Sequence, residues 1–481
     1  MLTVLLDYEK KEPLYYQIYK GIRSEIQANH LLPDEKLPSK RTLASHLQVS
    51  IITIQSAYDQ LVEEGYIRAV PRSGYYVEPT QQLPVISDNN TDVIPIEHET
   101  ESKKYKISFS TSGVDTKQFP FSTWAKLSRR ILSEEQEHLL QAVPPSGLLA
   151  LRKEIARYLY EFRSIKIFPE QIIVGAGTEY LLALLVQLLG REKCCAVEEP
   201  GYKKTRKILM QNGMTVKSVS MEKDGISIKE LYESEADIVH VTPSHHFPLG
   251  IVMSVNCRAS LLNWAMQSSE RYIIEDDYDS ELRFSGTPIP ALYSMDSGNH
   301  VIYMNTFTKT LAPSLRISYM ILPFTLLKKY QEQLQFYANT VPSFEQYTLA
   351  SFLRDGYFER HLNRMKKTYR KRKDQILFLI RSHKLASYLK IKGENSGLHF
   401  LLETHLGLSE KDLIETAESV GVHINGLSYY YANSDFNIEY PTIVIGYTCL
   451  TENQIQTGMQ TMLDAWQDRF NKKNDIVKKI I

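Results

Sequence analysis

Two rhythms of apolar residues divide this 481-residue chain. Across residues 13–28, Leu14, Ile18, Ile22 and Ile26 stand four apart as the stripe of an amphipathic helix, and Pro13 opens it where a missing N–H costs nothing. The loop L-L-P-D-E-K-L-P leads to Ser39, the expected N-cap of a short helix carrying Leu43, Ala44 and Leu47. Ser50 caps a third, with Ile54, Tyr58, Leu61 and Val62 on one side and Thr53, Gln55, Ser56, Asp59, Gln60 and Glu63 facing out. After Gly65 the period becomes that of strands: runs 66–70 and 75–77, joined by P-R-S-G, predict a hairpin with a tight turn. Three short helices and a hairpin predict a winged helix-turn-helix whose third helix enters a DNA major groove; the pattern also fits a small helical protein-interaction module.

Residues 79–104 show no periodicity and contain T-Q-Q-L-P, S-D-N-N-T-D and E-H-E-T-E-S-K-K, the composition of a linker. The expected domains are therefore 1–78 and 105–481 with that linker between them. From Ile107 onward helices alternate with short apolar strands, which predicts an α/β domain on a mainly parallel sheet. An amphipathic helix over 148–162 precedes the strand Q-I-I-V, the turn G-A-G-T-E and an apolar helix over 180–189. A glycine turn before a helix is most often only a turn, but it leaves the N–H groups of Ala176, Gly177 and Thr178 free to hold an anion. Four further strands run into E-E-P-G-Y, P-S-H-H-F-P-L-G, D-D-Y-D and N-T-F-T-K. Ligands of open α/β sheets sit beyond the strand carboxyl ends, so these loops are expected to converge.

Composition narrows the partners. The 43% hydrophobic and 23% charged residues are ordinary globular values, and 56 Lys and Arg balance 56 Asp and Glu, so no global field draws nucleic acid. Residues 1–78 hold nine basic and ten acidic residues, and phosphate binding depends on how Lys36, Lys40, Arg41, Arg68 and Arg72 cluster. Cys194, Cys195, Cys257 and Cys449 lack metal-ligand spacing and make no disulfide framework, which fits a reducing cytoplasm. The start M-L-T-V-L-L-D-Y has no basic flank of a signal peptide, and the apolar run 181–189 is too short to span a bilayer, so no membrane partner is expected. The basic run 360–373, on a predicted helix, reads first as a solvated or inter-domain ion-paired face and second as a DNA contact.

Lys309 stands between two threonines in N-T-F-T-K-T-L-A-P-S-L-R, seven residues before Arg316. Burial lowers an ammonium pKa and makes lysine a nucleophile toward an aldehyde cofactor, while a neighbouring arginine holds a phosphate. A pyridinium cofactor such as pyridoxal phosphate also needs a carboxylate at its ring nitrogen, a phosphate cup and an aromatic face. Asp276 offers the first, Gly177, Thr178, Thr306 and Arg316 the second and Tyr202 the third, and Tyr278 can donate to the phenolic oxygen. The competing roles for Asp276 and Asp277 are a metal pair or solvated acids; with no clustered histidine beside them, the ring nitrogen is favoured and no metal is expected.

The words of the first segment, L-P-S-K-R-T-L-A-S-H-L-Q-V-S-I-I-T-I-Q-S-A-Y-D-Q-L-V-E-E-G-Y-I, closely resemble the DNA-binding domain of GntR-type bacterial repressors over 15–77. That resemblance implies contacts, mostly to the DNA backbone, at Lys40, Arg41, Thr53, Arg72 and Gly74. V-G-A-G-T-E-Y, E-E-P-G-Y, T-P-S-H-H-F-P-L-G, E-D-D-Y-D-S-E-L-R-F and T-K-T-L-A-P-S-L-R look like the fold-type-I aminotransferase domain. Their order behind a winged helix resembles the MocR/GabR family of bacterial transcription regulators. This implies a cytoplasmic homodimer that binds a double-stranded DNA operator and carries pyridoxal 5'-phosphate as a Schiff base on Lys309, with Ala176, Gly177, Thr178, Tyr202, Asp276, Tyr278, Thr306, Thr308 and Arg316 around it. The aminotransferase fold then serves as a sensor of pyridoxal phosphate itself or of an amine or amino-compound effector, controlling vitamin B6 synthesis or amino-compound metabolism, rather than as a working catalyst. The alternatives are a genuine aminotransferase with an accessory DNA-binding head and a regulator whose second domain is only a dimerisation scaffold.

Several positions depart from the family. Ile51 and Ile52 follow Ser50 where arginine and a polar residue are common, so base readout there is apolar or absent. No arginine occurs between Arg381 and Arg469, and V-I-G-Y at 444–447 stands where R-L-G-F is expected, so the carboxylate clamp is missing from its usual place. Lys204 stands two residues beyond Tyr202 where an arginine occurs in the family, with Arg206 shifted, and Phe247 replaces the asparagine beside the phenolic oxygen. Gln141 or Ala142 stands where a neighbouring subunit often offers a tyrosine. These losses weaken ordinary transamination of an α-amino acid and point to pyridoxal phosphate or an amine without the usual carboxylate as ligand.

Overall fold

A computed structural model describes residues 4–9, 11–79, 105–111, 113–284, 289–394, 397–432 and 438–480. Apart from Pro79, the expected linker lies outside the described residues. The chain divides into two compact units, Met1–Ser102 and Lys103–Ile481.

In the first unit the apolar stripes become helices α1 (Leu14–Gln27), α2 (Lys40–Leu47) and α3 (Ile51–Glu63), followed by strands β1 (Ile67–Val70) and β2 (Gly74–Val77). Ser39 and Ser50 accept from the N–H groups of Thr42 and Thr53, both at 3.1 Å, so each short helix starts with a side-chain cap. Ile18, Ile22, Ile26, Leu43, Ile54, Tyr58 and Leu61 close one core with Ile67 and Val77 of the hairpin. Val62, expected on that side, is exposed; Ala57 takes the inward position, three residues after Ile54 and four before Leu61. The antiparallel strands pair Val70 with Gly74, and Arg72 at the turn has a φ of 61°.

The second unit is built on an eight-stranded sheet. Its strands are β3 (Ile172–Gly175), β4 (Cys194–Glu199), β5 (Thr215–Glu222), β6 (Gly225–Ile226), β7 (Ile238–Val241), β8 (Tyr272–Asp276), β9 (Val301–Thr306) and β10 (Ser318–Ile321). They lie in the order β3-β10-β9-β8-β7-β4-β5-β6. β10 runs against both of its neighbours and β6 against β5; all other neighbours are parallel, which makes the sheet mainly parallel as expected. Both faces are covered because successive side chains alternate. Ile173, Ile302 and Met304 pack on Leu181, Leu185 and Leu188 of helix α5 (Thr178–Leu189). On the other face Ile172, Val174 and Tyr303 meet Leu151, Ile155 and Leu159 of helix α4 (Leu149–Arg163).

Helix α6 (Lys203–Gln211) follows β4, and the long helix α7 (Tyr357–Ser382) leads to a second, antiparallel sheet. That sheet contains β11 (Leu389–Lys392), β12 (His399–Thr404), β13 (Asn425–Gly426) and β14 (Thr442–Gly446), in the order β11-β12-β14-β13. Three cations of the basic run on α7 are engaged within this unit: buried Arg372 pairs with Asp115 at 2.6 Å, exposed Arg364 donates to the Gln118 carbonyl at 2.9 Å, and exposed Lys371 pairs with Glu452 at 2.8 Å. No described helix is long and apolar enough to cross a membrane.

Candidate functional site

Because β3, β4, β7, β8 and β9 are mutually parallel, their carboxyl ends face one way, and the loops beyond them line a single cavity of about 660 Å³. Lys309, three residues past the end of β9, lines it, and its Nζ donates to the Thr111 carbonyl at 3.4 Å. Burial pushes its pKa down against the opposing pull of Asp279, Cys449 and Asp276, which favours the neutral amine.

Asp276 ends β8, and the register that pairs it with Met304 sets it beside the start of the Lys309 loop. Its Oδ2 lies 3.5 Å from Nε2 of His240 on neighbouring β7. Asp277 points the other way, into the core, where it pairs with Arg163 at 3.0 Å and accepts from the Tyr303 hydroxyl at 2.6 Å. The two acids therefore do not form a pair, and among the described residues no group of three or more His, Cys, Asp or Glu could hold a metal ion. Behind Asp276, buried Glu198 accepts from the Thr242 hydroxyl at 2.7 Å and from its N–H; burial raises its pKa to about 7.

A concave patch lies at the start of α5. Gly177 has a φ of 94°, and a Cβ there would meet Arg316 Nη2 at 2.4 Å, so only glycine lets the arginine cross this turn. Arg316 pairs with Glu179, which also pairs with Lys204. The Thr306 hydroxyl accepts from Ser318 Oγ and donates to Thr308 Oγ1, both at 2.8 Å. Thr178, Thr306, Thr308 and Arg316 all line the cavity. Two of the three N–H groups expected to be free are not: that of Ala176 donates to Thr340 Oγ1 at 2.9 Å and that of Gly177 to the Gly175 carbonyl at 2.8 Å.

Tyr202 lines the cavity and is 58% exposed, with its ring edge-on to Phe247 at 5.9 Å. Tyr278 lines it too, its hydroxyl donating to the His245 carbonyl at 3.1 Å. The sequence reading missed Thr111, Glu198, His240, His399 and Tyr430, all of which line the cavity. Glu198 opens the E-E-P-G-Y motif expected as a loop but belongs to β4, His240 sits on a predicted strand with no local sign of which neighbour it would face, and His399 and Tyr430 belong to the second sheet's region.

In the first unit, Lys40 opens α2, donates to Gln55 Oε1 of α3 and lies 5.6 Å from the Tyr75 ring centroid. That brings the first turn of α2 to α3 and the wing. A Cβ on Gly74 would meet Lys36 Cε at 3.3 Å, so this basic stem packs on the hairpin. Thr53 is occupied by its own cap, with Oγ1 2.8 Å from Ser50 Oγ. Arg41 and Arg72 are exposed and make no ion pair among the described residues. Arg68 pairs with Asp34 and Glu78, and both Arg68 and Lys36 lie over the Tyr76 ring, at 5.9 and 5.8 Å.

Residues 14–77 match the family model of bacterial regulatory proteins of the gntR family, and residues 104–443 match that of aminotransferase class I and II. The probable rhizopine catabolism regulatory protein MocR of Rhizobium meliloti is 32% identical over 96% of both chains. This chain belongs to the MocR/GabR family of transcriptional regulators. Within the family it is 39% identical to the HTH-type transcriptional regulator YdeL of Bacillus subtilis, over 97% of this chain and 99% of that one. It is 28% identical to the pyridoxine biosynthesis transcriptional regulator PdxR of Corynebacterium glutamicum, over 96% and 98%. The aminotransferase half of this MocR-type chain has the fold of the multiple substrate aminotransferase of Thermococcus profundus, at a TM-score of 0.68 and 23% identity over 80% of this chain and 96% of that one. The kynurenine aminotransferase of Pyrococcus horikoshii is equally similar in fold, at a TM-score of 0.67 and 21% identity over 81% and 99%.

Proposed function

We propose that this regulator is a cytoplasmic homodimer that binds operator DNA through α3 and the β1–β2 wing, and that its second unit holds pyridoxal 5'-phosphate and reads either that compound or an amine. The observation that carries the cofactor half is the lining of one cavity by a half-buried amine, Lys309, a carboxylate, Asp276, and Arg316, for which Gly177, outside the lining itself, makes room. These residues fit the group. Asp276, backed by His240, would hold a protonated ring nitrogen; Thr178, Thr306, Thr308, Gly177 and Arg316 would hold the phosphate; Tyr202 would cover the ring; and Ala176 would shape the turn through its bond to Thr340. Bound there, the cofactor supplies an electrophilic aldehyde carbon. Lys309, whose ammonium pKa burial lowers, is the amine able to engage it. Lys40, Arg41, Thr53, Arg72 and Gly74 would meet the DNA backbone.

Efficient transaminase turnover is not part of this reading, because by resemblance Phe247 stands where an asparagine meets the phenolic oxygen and Val444 where an arginine clamps the substrate carboxylate. The likeness to a regulator named for pyridoxine biosynthesis supports pyridoxal phosphate as one effector. The test is a footprint of the full-length protein upstream of its own gene and neighbouring genes, with and without pyridoxal phosphate, together with visible absorbance of the loaded wild type and Lys309→Ala. Protection that changes with the cofactor and absorbance lost in the variant are expected. No protected site overturns the DNA half, and no lysine-dependent absorbance overturns the cofactor half. Steady turnover of an amino donor with a keto acid would favour the enzyme reading instead.

A further inference from the structure

Phe247, in the loop after β7, and Val444, on β14, lie far apart in sequence yet fall in one apolar cluster. Leu401, Leu427 and Tyr430 complete its buried part, and Leu249, Tyr431 and Ile438 pack against it. The cluster faces the cavity through rings. Phe247 is edge-on to Tyr430 and to His399, both at 5.0 Å, and Tyr202 and Tyr278 stand around the same ring at 5.9 and 6.4 Å. All five of these residues line the cavity.

The side chains that ring Phe247 are Tyr202, Tyr278, Tyr430 and His399. His399 Nε2 donates to the Pro248 carbonyl at 2.9 Å, and burial holds its pKa well below the usual imidazole value, so it stays neutral. Of the cations that line the cavity, Lys204 and Arg316 are paired with Glu179, Arg206 donates to Ser218 at 2.6 Å, Lys203 lies over the Tyr429 ring at 5.0 Å, Lys309 is the amine of the cofactor reading, and exposed Lys207 makes no ion pair among the described residues. A carboxylate brought against Phe247 would shed its water among uncharged rings, whereas an aromatic ring would gain edge-to-face partners.

We infer that the effector is a primary amine bearing an aromatic or bulky apolar group and no carboxylate, with that group held against Phe247 and Tyr430. The inference rests on the cofactor reading for the amine end and on the apolar wall for the rest. It makes Phe247 a specificity-determining residue of the sensor.

The test uses full-length protein loaded with pyridoxal phosphate and three probes: 2-phenylethylamine, L-phenylalanine, which is the same skeleton with an α-carboxylate, and 4-aminobutyrate. Binding is measured by calorimetric titration and by the shift in thermal midpoint. The expected ranking puts 2-phenylethylamine at least about tenfold tighter than either acid. Phe247→Ala weakens it by about tenfold, and Phe247→Leu, which keeps an apolar side chain without the ring, gives an intermediate loss. L-Phenylalanine or 4-aminobutyrate binding as tightly as 2-phenylethylamine overturns the inference, as does indifference of all three probes to Phe247→Ala, or no amine binding at all. Failure of the cofactor reading is separate and visible beforehand, as loaded protein without lysine-dependent absorbance.

Discussion

The first turn of α3 carries Ile51 and Ile52, 48% and 77% exposed, at the end of the helix expected to enter the major groove. Its polar neighbours are already engaged. Gln55 donates to both oxygens of Asp59 at 2.7 and 2.9 Å, Ser56 Oγ donates to the Ile52 carbonyl at 3.1 Å, and Thr53 is held by Ser50. What this tip can distinguish is therefore the C5-methyl group of thymine, the apolar feature of the major groove. Burying one methyl group is worth about 0.8 kcal/mol, so removing it weakens binding by about fourfold. The assay takes a duplex selected by the full-length protein from a random pool and replaces each thymidine by deoxyuridine in turn, reading affinity by fluorescence anisotropy at one fixed salt concentration. One or two positions per half-site should lose about fourfold in the wild type and nothing further in Ile52→Ala, because the variant has already lost the contact. Ile52 is exposed, so the variant should keep its stability to within about 0.5 kcal/mol. Indifference of the wild type to every replacement, or an equal loss in the variant, refutes the reasoning.

Three further perturbations follow from the second unit. Burial raises the Glu198 carboxyl to about 7, so the folded chain binds a proton that the unfolded chain releases above the ordinary carboxylate range; its contribution is full at lower pH and is lost as pH rises toward 7. Glu198→Gln should flatten that part of the dependence of urea midpoint on pH, leaving the parts due to Glu275 and Glu281, which burial also raises to about 7. Gly177→Ala places a methyl group on Arg316 in a left-handed turn and should cost about 1–3 kcal/mol while loosening cofactor retention, read by thermal midpoint and by dialysis against absorbance. Arg372→Met leaves buried Asp115 without its cation and should cost about 3–5 kcal/mol, a drop in midpoint that an exposed control, Lys367→Met, does not show.

The first unit was legible almost to the residue because its signals are local. Ser39 and Ser50 cap where expected and the isoleucines of α1 pack as their spacing requires. The one exchange, Ala57 for Val62, arises because a small alanine fits the inward position and a larger apolar residue was given its place. In the second unit the strands and the loops after them were also readable, and Lys309, Asp276 and Arg316 line one cavity as their motifs imply. What no local pattern carries is lateral pairing. That His240 lies beside Asp276, that Thr242 satisfies Glu198, and that Thr340 takes the Ala176 N–H all depend on which strands and loops become neighbours. In a sheet closed by long crossovers, that choice is made by packing of the whole layer rather than by nearby residues.

The loop that carries Phe247 is also where the two sheets of the second unit touch. The Pro248 carbonyl meets His399 Nε2, from β12, at 2.9 Å, and Gly250 comes so near the chain at Gly393 that a Cβ there would lie 3.0 Å from the Gly393 Cα. Tyr430, the ring opposite Phe247, belongs with the second sheet. A ligand resting between Phe247 and Tyr430 would touch segments of both sheets, and a ligand can shift a conformational equilibrium by no more than its difference in interaction energy between the two states.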